Sequence, residues 1–506
     1  MSKCKPFSKH SMMYWVLFLG ALGAVFVLGW LSARYLQREA ERRYVFKPTV
    51  ELKPFEPRNA LWGENFPKQW DSYQRTAEGD FKSKYNGNAP IDMLEADPRL
   101  VMLWAGYAFS KDYQQGRGHY HAVEDVYDTL RTGGPTGPED GPQPTTCWAC
   151  KSPDVPRMMH EEGIAKFYTG KWSRLGPEIV NYIGCADCHN EETMDLQLSR
   201  PALAEAFQRQ GRDISKATHQ EMRSLVCAQC HVEYFFDKKR VEGADYLTFP
   251  WDKGMTVEAM EAYYDERGHV DWVHQFSRAP MLKAQHPDYE VFQLGIHAQR
   301  GVSCADCHMP YRADGMQKFS DHHIQSPLNN VANSCQVCHR EKTEDLLRDV
   351  YERQDKLIQN RDKLEELLVR GHLEAKAAWD AGATEVQMAP ILQDLRHAQW
   401  RWDFVAAGHG NSFHAPVECA RIVGTGLEKA QNARIQLARL LSKLGVEGEV
   451  PYPDLSTKAK AQAFIGLDLD KLKAEKAAFK KNLLPKWLEE AKKREEGWGK
   501  KMSHSL

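Results

Sequence analysis

Apolar residues fall along this chain in three regimes. Met12 to Leu31 form an unbroken run of twenty uncharged, largely apolar residues, ended by Arg34. A helix of that length can span a bilayer. From about 61 to 340 the apolar positions are irregular and broken by Gly, Pro, Trp and His, so only short helical stretches are predicted. From about 341 to 506 the pattern turns helical. Leu347, Val350, Tyr351, Leu357, Ile358, Leu364, Leu367 and Leu368 recur at helical spacing, with no Gly or Pro before Gly371. A second helical run covers about 387–408, with Pro390 near its start, where proline is tolerated, and a third covers about 415–445. Strand signals are sparse, and the chain reads as mainly α. The three runs exceed ordinary globular length. They fit either a bundle within one subunit or a surface packed against a second copy.

Charge narrows the partners. The formal net charge is −2 over 506 residues, which gives no reason to expect nucleic acid. The charge around the apolar run says more. Lys3, Lys5 and Lys9 precede it and no acid does, so the basic end is expected in the cytoplasm and the body outside it. The run is longer than a signal-peptide core, and its best cleavage candidate, Leu31-Ser32-Ala33, has a bulky residue where a small one is wanted. Residues 1–33 are therefore expected to be an uncleaved anchor on the periplasmic side of the cytoplasmic membrane. The alternative is a soluble periplasmic protein released by signal cleavage. Residues 34–60 read as a charged linker, 61–340 as the functional body and 341–506 as the long-helix region. Cys4 precedes the apolar run and is not placed like a lipoprotein cysteine.

Cysteine spacing supplies the chemistry. Ten of the twelve cysteines form five C-x-x-C pairs: Cys147/Cys150, Cys185/Cys188, Cys227/Cys230, Cys304/Cys307 and Cys335/Cys338. Chance predicts roughly 0.3 such pairs. Four pairs continue into histidine, at His189, His231, His308 and His339, which is the attachment pattern of c-type haem. The thiols add across the haem vinyl groups, and the histidine binds iron from one face. Zinc sites have no need of histidine at that fixed offset. Covalent haem attachment belongs outside the cytoplasm, in agreement with the N-terminus. The body is thus expected to be haem-packed.

The first pair departs from the rule: Cys147-Trp148-Ala149-Cys150-Lys151. Either its axial ligand comes from elsewhere, or the pair is incidental, or Lys151 itself binds iron. A neutral amine is a moderate donor, and burial beside a metal lowers the lysine pKa. Bis-histidine haems are saturated, whereas a site that binds substrate must keep a position open.

Cys-Trp-Ala-Cys-Lys followed by four C-x-x-C-H motifs resembles the pentahaem, ammonia-forming cytochrome c nitrite reductases. The resemblance runs over most of residues 95–495 and includes Leu-Trp-Ala-Gly-Tyr (103–107), Thr-Leu-Arg-Thr-Gly (129–133), Cys-His-Val-Glu-Tyr (230–234), Lys-Ala-Gln-His-Pro (283–287) and Trp-Arg-Trp-Asp…His-Ala-Pro from Trp400. It implies five covalent haems c, a catalytic haem on Lys151, and a distal pocket of Arg131, Tyr234 and His286. It implies a Ca²⁺ ion held by Glu233, Gln285 and the carbonyls of Tyr234 and Lys283. It also implies distal ligands His119 for His231, His297 for His339, His322 for His189 and His414 for His308. The neighbours His121, His323 and His409 are rivals that spacing does not exclude. Six-electron reduction of nitrite to ammonia is the activity so implied, with a membrane-bound quinol-oxidising multihaem cytochrome as donor and a homodimer as assembly. The competing classes are an electron-carrying or electron-storing cytochrome, for which an open lysine-ligated haem would have no use, and a hydroxylamine-oxidising relative, which would carry more haem motifs. Cys419 stands outside the motifs and reads as a small core residue.

Overall fold

In the computed structural model of the chain, residues 9–42, 48–315, 317–408 and 410–501 are described. Cys4 and His409 lie outside them. The chain divides into two compact units, one ending at Glu51 and the other beginning at Leu52.

The first unit is a helix, Lys9–Arg42, whose stretch Met12–Glu39 has a mean hydropathy of 2.2. It is long and apolar enough to cross a membrane, and its large apolar side chains are exposed. The helix continues past Arg34 into the stretch read as a linker, because Tyr35, Leu36, Gln37, Arg38 and Glu39 contain no helix breaker.

The second unit is mainly α, as the sparse strand signals imply. Its strands form three antiparallel hairpins: Phe235–Asp237 with Tyr246–Thr248, Trp272–Val273 with Pro280–Met281, and Tyr311–Asp314 with Gln317–Ser320. Short helices and turns fill the rest of the body up to Ser334.

Three long helices follow: Thr343–Asp380, Glu385–Ala407 and Pro416–Lys443. Each presents a seam at three- and four-residue steps. On the first, Val350, Gln354, Leu357, Leu364, Leu368, Gly371, Ala375 and Ala378 are buried. On the third, Cys419, Ile422, Gly426, Ala430, Ala433, Leu437 and Leu440 are buried. This is the side-chain register of helices packed at a shallow angle. Fully buried leucines such as Leu364, Leu368, Leu395 and Leu437 each contribute about 1.5–3 kcal/mol relative to exposure.

The first long helix runs through Gly371 to Asp380. Gly371 lies in the seam, where a Cβ would meet Leu395 Cδ2 at 2.8 Å. Glycine is needed there for close approach of the helices, which outweighs its cost of about 1 kcal/mol in a helix. Gly426 does the same against Leu364.

The second long helix is buried almost all round from Leu395 to Val405. It carries Asp403 into the body, where Asp403 Oδ1 accepts from Lys283 Nζ at 2.8 Å and Oδ2 from Ala284 N at 3.0 Å. Two C-terminal helices, Leu469–Asn482 and Leu484–Lys501, close over the first motif. Phe479 and Trp487 pack on Trp172, which packs on Trp148 of that motif.

Candidate functional site

Each C-x-x-C pair sits on one turn of helix or 3₁₀-like chain, so both sulfurs and the following residue lie on one face. In the second and fourth motifs the sequence builds its own turn. Asp306 donates its backbone N–H to Ser303 Oγ (3.3 Å) and accepts from Ser303 N (2.8 Å), which is a capping box. Asp187 likewise accepts from Gly184 N at 2.8 Å.

The motif histidines face four others. Ring centroids are 6.1 Å apart for His231 and His119, 6.2 Å for His189 and His322, and 6.3 Å for both His339 with His297 and His308 with His414. Two metal–nitrogen bonds of about 2.0–2.1 Å plus two ring half-widths of about 1.1 Å require about 6.2–6.4 Å. The residues therefore fit a haem iron held between two imidazoles. Backbone acceptors orient several of the rings: His189 Nδ1 on Met194 O (2.9 Å), His308 Nδ1 on Gln325 O (2.8 Å) and His322 Nδ1 on Ser320 O (2.9 Å). Burial pushes His119 down to about 3, and His322 and His414 to about 4. All three are then neutral near pH 7, the state that ligates metal.

The rivals are placed differently. His121 is engaged at both ring nitrogens, with Glu124 at 3.1 Å and Ala77 O at 3.2 Å. His322, not His323, stands opposite His189; the buried His323 ring has no partner among the described residues.

The motifs also touch one another. Cys150 meets Cys230, Cys227 meets Cys304, and Cys188 lies near Cys230, as Cys307 does near Cys335 and Cys338. The first and second motifs thus both adjoin the third, and the line continues through the fourth to the fifth.

The fifth motif is the least covered of the five among the described residues. Cys338 is exposed, whereas the other nine motif cysteines are partly buried. Its neighbours Val337 and His339 are exposed as well. The fourth motif flanks the fifth on one side, and the chain then leaves at once for the first long helix at Thr343. The Cys338 N–H bonds Cys335 O at 3.1 Å, the one-turn pairing of the motif.

Around the first motif, Arg131 and Tyr234 converge. The Arg131 guanidinium acts to lower the pKa of both Cys147 and Tyr107, and the same two groups act to raise that of Tyr234, so all four lie close together. Arg131 lies on a tight 3₁₀ turn, Leu130–Thr132, with its guanidinium 4.2 Å from the centre of the Phe109 ring. Thr129 Oγ1 donates to Asp112 Oδ2 (2.9 Å), and Lys476 Nζ donates to Thr132 Oγ1 (2.9 Å), so this turn is pinned from both sides. Lys151 closes the turn of the first motif, its N–H on Trp148 O at 2.9 Å. Tyr234 is held well above the usual phenol range by burial and by nearby Cys150 and Cys147, so it stays a donor.

His286 and Tyr234 are brought together by one buried carboxylate. Glu233 Oε2 accepts from Gln285 N at 2.6 Å, and Glu233 Oε1 accepts from Tyr264 OH at 2.8 Å. Tyr234 follows Glu233 and His286 follows Gln285, so this bond fixes the two side chains on adjoining segments. The same bond gathers the four residues of the cation expectation. Gln285 Nε2 reaches Lys283 O at 3.3 Å. Glu233 is raised well above the carboxylate range by burial, and the nearby Glu290 and Asp271 carboxylates add to the rise. A buried carboxylate, an amide and two carbonyls are all-oxygen donors that fit Ca²⁺.

Sequence reasoning missed Asp112, Lys476, Asp187, Gln229 and Arg200. Asp187 and Gln229 were in plain view inside their motifs, but spacer residues give no signal of their own.

The cytochrome c552 family matches residues 58–500. A cytochrome c-552 of Bacteroides thetaiotaomicron is 58% identical over 480 residues, covering 94% of this chain and 96% of that protein. The cytochrome c-552 of Porphyromonas gingivalis is 56% identical over 480 residues, covering 94% and 96%. Among solved structures, the cytochrome c nitrite reductase of Desulfovibrio desulfuricans, whose catalytic subunit is described with two calcium sites, is similar at a TM-score of 0.72 and 31% identity. It covers 84% of this chain and 91% of that one. With these matches over nearly the whole second unit, the chain belongs to the cytochrome c552 family and carries covalent haem c.

Proposed function

We propose that this protein reduces nitrite to ammonia in a six-electron reaction at its first C-x-x-C site, with five haems c bound. The observation that carries this reading is the lysine that stands in place of histidine at that one site, with Arg131 and Tyr234 both near Cys147 of the same motif. Bound haem supplies electrons one at a time and, where an axial position is open, a place for the substrate. Arg131 offers a fork of donors that suits a small oxyanion, with Phe109 beneath it as a platform. Tyr234 donates a hydrogen bond from a phenol that keeps its proton. His286, which is solvent-exposed, takes protons from water and passes them to the departing oxygens. Glu233, with a Ca²⁺ ion bound by Glu233, Gln285, Tyr234 and Lys283, holds His286 and Tyr234 in register. The test is ammonium production from nitrite by the purified holoprotein with a reduced dye as donor. Stoichiometric ammonium supports the reading. Full haem reduction by the dye with nitrite untouched overturns it in favour of an electron carrier.

Lys151→His is expected to retain the covalent haem but to change its spectrum and to lower nitrite turnover. Turnover at the wild-type rate would make the lysine incidental.

The N-terminal helix serves, in this reading, as an anchor that keeps the enzyme beside a membrane-bound quinol-oxidising cytochrome and raises their effective concentration. Replacing residues 1–33 by a cleavable signal should leave dye-driven activity intact and weaken quinol-driven activity. Equal quinol-driven rates would remove the anchor from the mechanism. A homodimer through the long helices completes the proposal.

A further inference from the structure

Three of the five C-x-x-C loops meet at one buried arginine. Arg200 caps the helix Pro201–Arg209 and is 4% exposed. Its Nε donates to Ala149 O (2.6 Å), one Nη to Ser152 O (2.6 Å) and Asp187 Oδ1 (2.6 Å), and the other to Ser199 Oγ (2.7 Å). Ala149 belongs to the first motif and Asp187 to the second. The third motif joins through Gln229, whose Nε2 donates to Asp187 O (2.7 Å) and whose Oε1 accepts from Ser199 N (3.1 Å). Residues 149, 187 and 229 are the second spacer residue of their respective motifs.

The carbonyls of Ala149 and Ser152 bracket Cys150 and Lys151, so Arg200 sets the direction in which Lys151 leaves the loop. The Arg200 charge is also felt at one cysteine of each of the three motifs, Cys150, Cys188 and Cys230. The fourth motif is a built-in comparison. It has the same Cys-Ala-Asp-Cys-His sequence, and Asp306 pairs with Arg223 at 3.1 Å, but Arg223 spends its other bond on Tyr311 OH and reaches no second motif.

We propose that Arg200 is a positioning residue for Lys151, and that the Arg200–Asp187 pair is a shared electrostatic control of the first three C-x-x-C sites. This rests on the reading that haem is bound at these motifs with Lys151 as an iron ligand. A guanidinium does not deprotonate in proteins, so Asp187→Asn leaves one uncompensated buried positive charge at the junction. A charge of that kind favours the reduced form of each neighbouring haem.

The test is a redox titration of the holoprotein, followed optically and by electron paramagnetic resonance. In Asp187→Asn the reduced-to-oxidised ratio of the first three sites should rise about tenfold at fixed poise, about 59 mV for a one-electron couple. The fourth and fifth sites should stay in place. Arg200→Lys keeps the charge but cannot reach both carbonyls and Asp187 together. It should alter the resonance of the lysine site while shifting the second and third sites less than Asp187→Asn does. Unmoved potentials in Asp187→Asn, or equal movement of all five sites, overturns the electrostatic role. A first-site signal that Lys151→His changes and Arg200→Lys leaves alone overturns the positioning role, with the lysine reading intact. If neither variant changes that signal, the lysine reading itself fails and this proposal with it.

Discussion

Replacing His286 with asparagine lowers kcat for nitrite by about 10²–10⁴-fold, the usual contribution of a positioned general acid. Asparagine keeps the approximate size and a hydrogen-bond donor but cannot release a proton near neutral pH. The neighbouring segments have backbone supports of their own. Gln285 N is fixed by Glu233, the Asp288 N–H is fixed on the carbonyl of residue 286 at 2.6 Å, and Arg131 is held by its own turn. The haem spectrum and nitrite affinity should therefore change little, and the loss should fall on kcat and on the acid–base limb of its pH profile. A variant with wild-type kcat across the pH range would move the proton source to another group.

Lys283→Met is the second large effect, expected to destabilise the second unit by about 3–5 kcal/mol, the cost of removing one partner of a buried ion pair. Lys283 and Asp403 side chains are 2% and 1% exposed and meet at 2.8 Å. Without the ammonium, Asp403 keeps the Ala284 N–H and no described cation. Burial already raises the Asp403 pKa above the ordinary carboxylate value. A group raised in the folded state binds more protons there than when unfolded, so its contribution is fully present below the unfolded pKa of about 3.9 and is lost as pH rises through the folded value. The variant's deficit should thus deepen from acid toward neutral pH. Urea titrations of the holoprotein at several pH values measure this. The double variant Lys283→Met with Asp403→Leu should recover much of the loss, because replacing a buried pair costs far less than breaking one. A deficit below about 1 kcal/mol at neutral pH, within the range of surface pairs, would contradict the buried-pair account.

Both predictions concern one segment, Lys283 to His286, and it shows where sequence reading stops. The Lys-Ala-Gln-His-Pro string was legible as a motif. That Asp403, far along the chain on a long helix, holds its first residue was not, although Asp403 ends a motif of its own, Trp-Arg-Trp-Asp. The three long helices were legible because a seam at three- and four-residue steps survives in one dimension. The run of the first helix through Gly371 to Asp380 was not, since a glycine that breaks a helix and one that admits Leu395 look alike until the partner helix is in place.

By itself the sequence determined the local chemistry. C-x-x-C-H needs only one turn of chain to present two thiols and an imidazole, so spacing states it completely. The basic apolar N-terminus and the mainly α character are equally local. Tertiary structure alone decided which distant groups complete each site. It set His322 rather than His323 across from His189. It joined Glu233 to Gln285, drew Ala149 and Asp187 onto Arg200, and set Gln229 on the Asp187 carbonyl. The physical reason is that a buried polar group must find its partner wherever the fold supplies one, and the chain separation between such partners leaves no periodic trace in sequence.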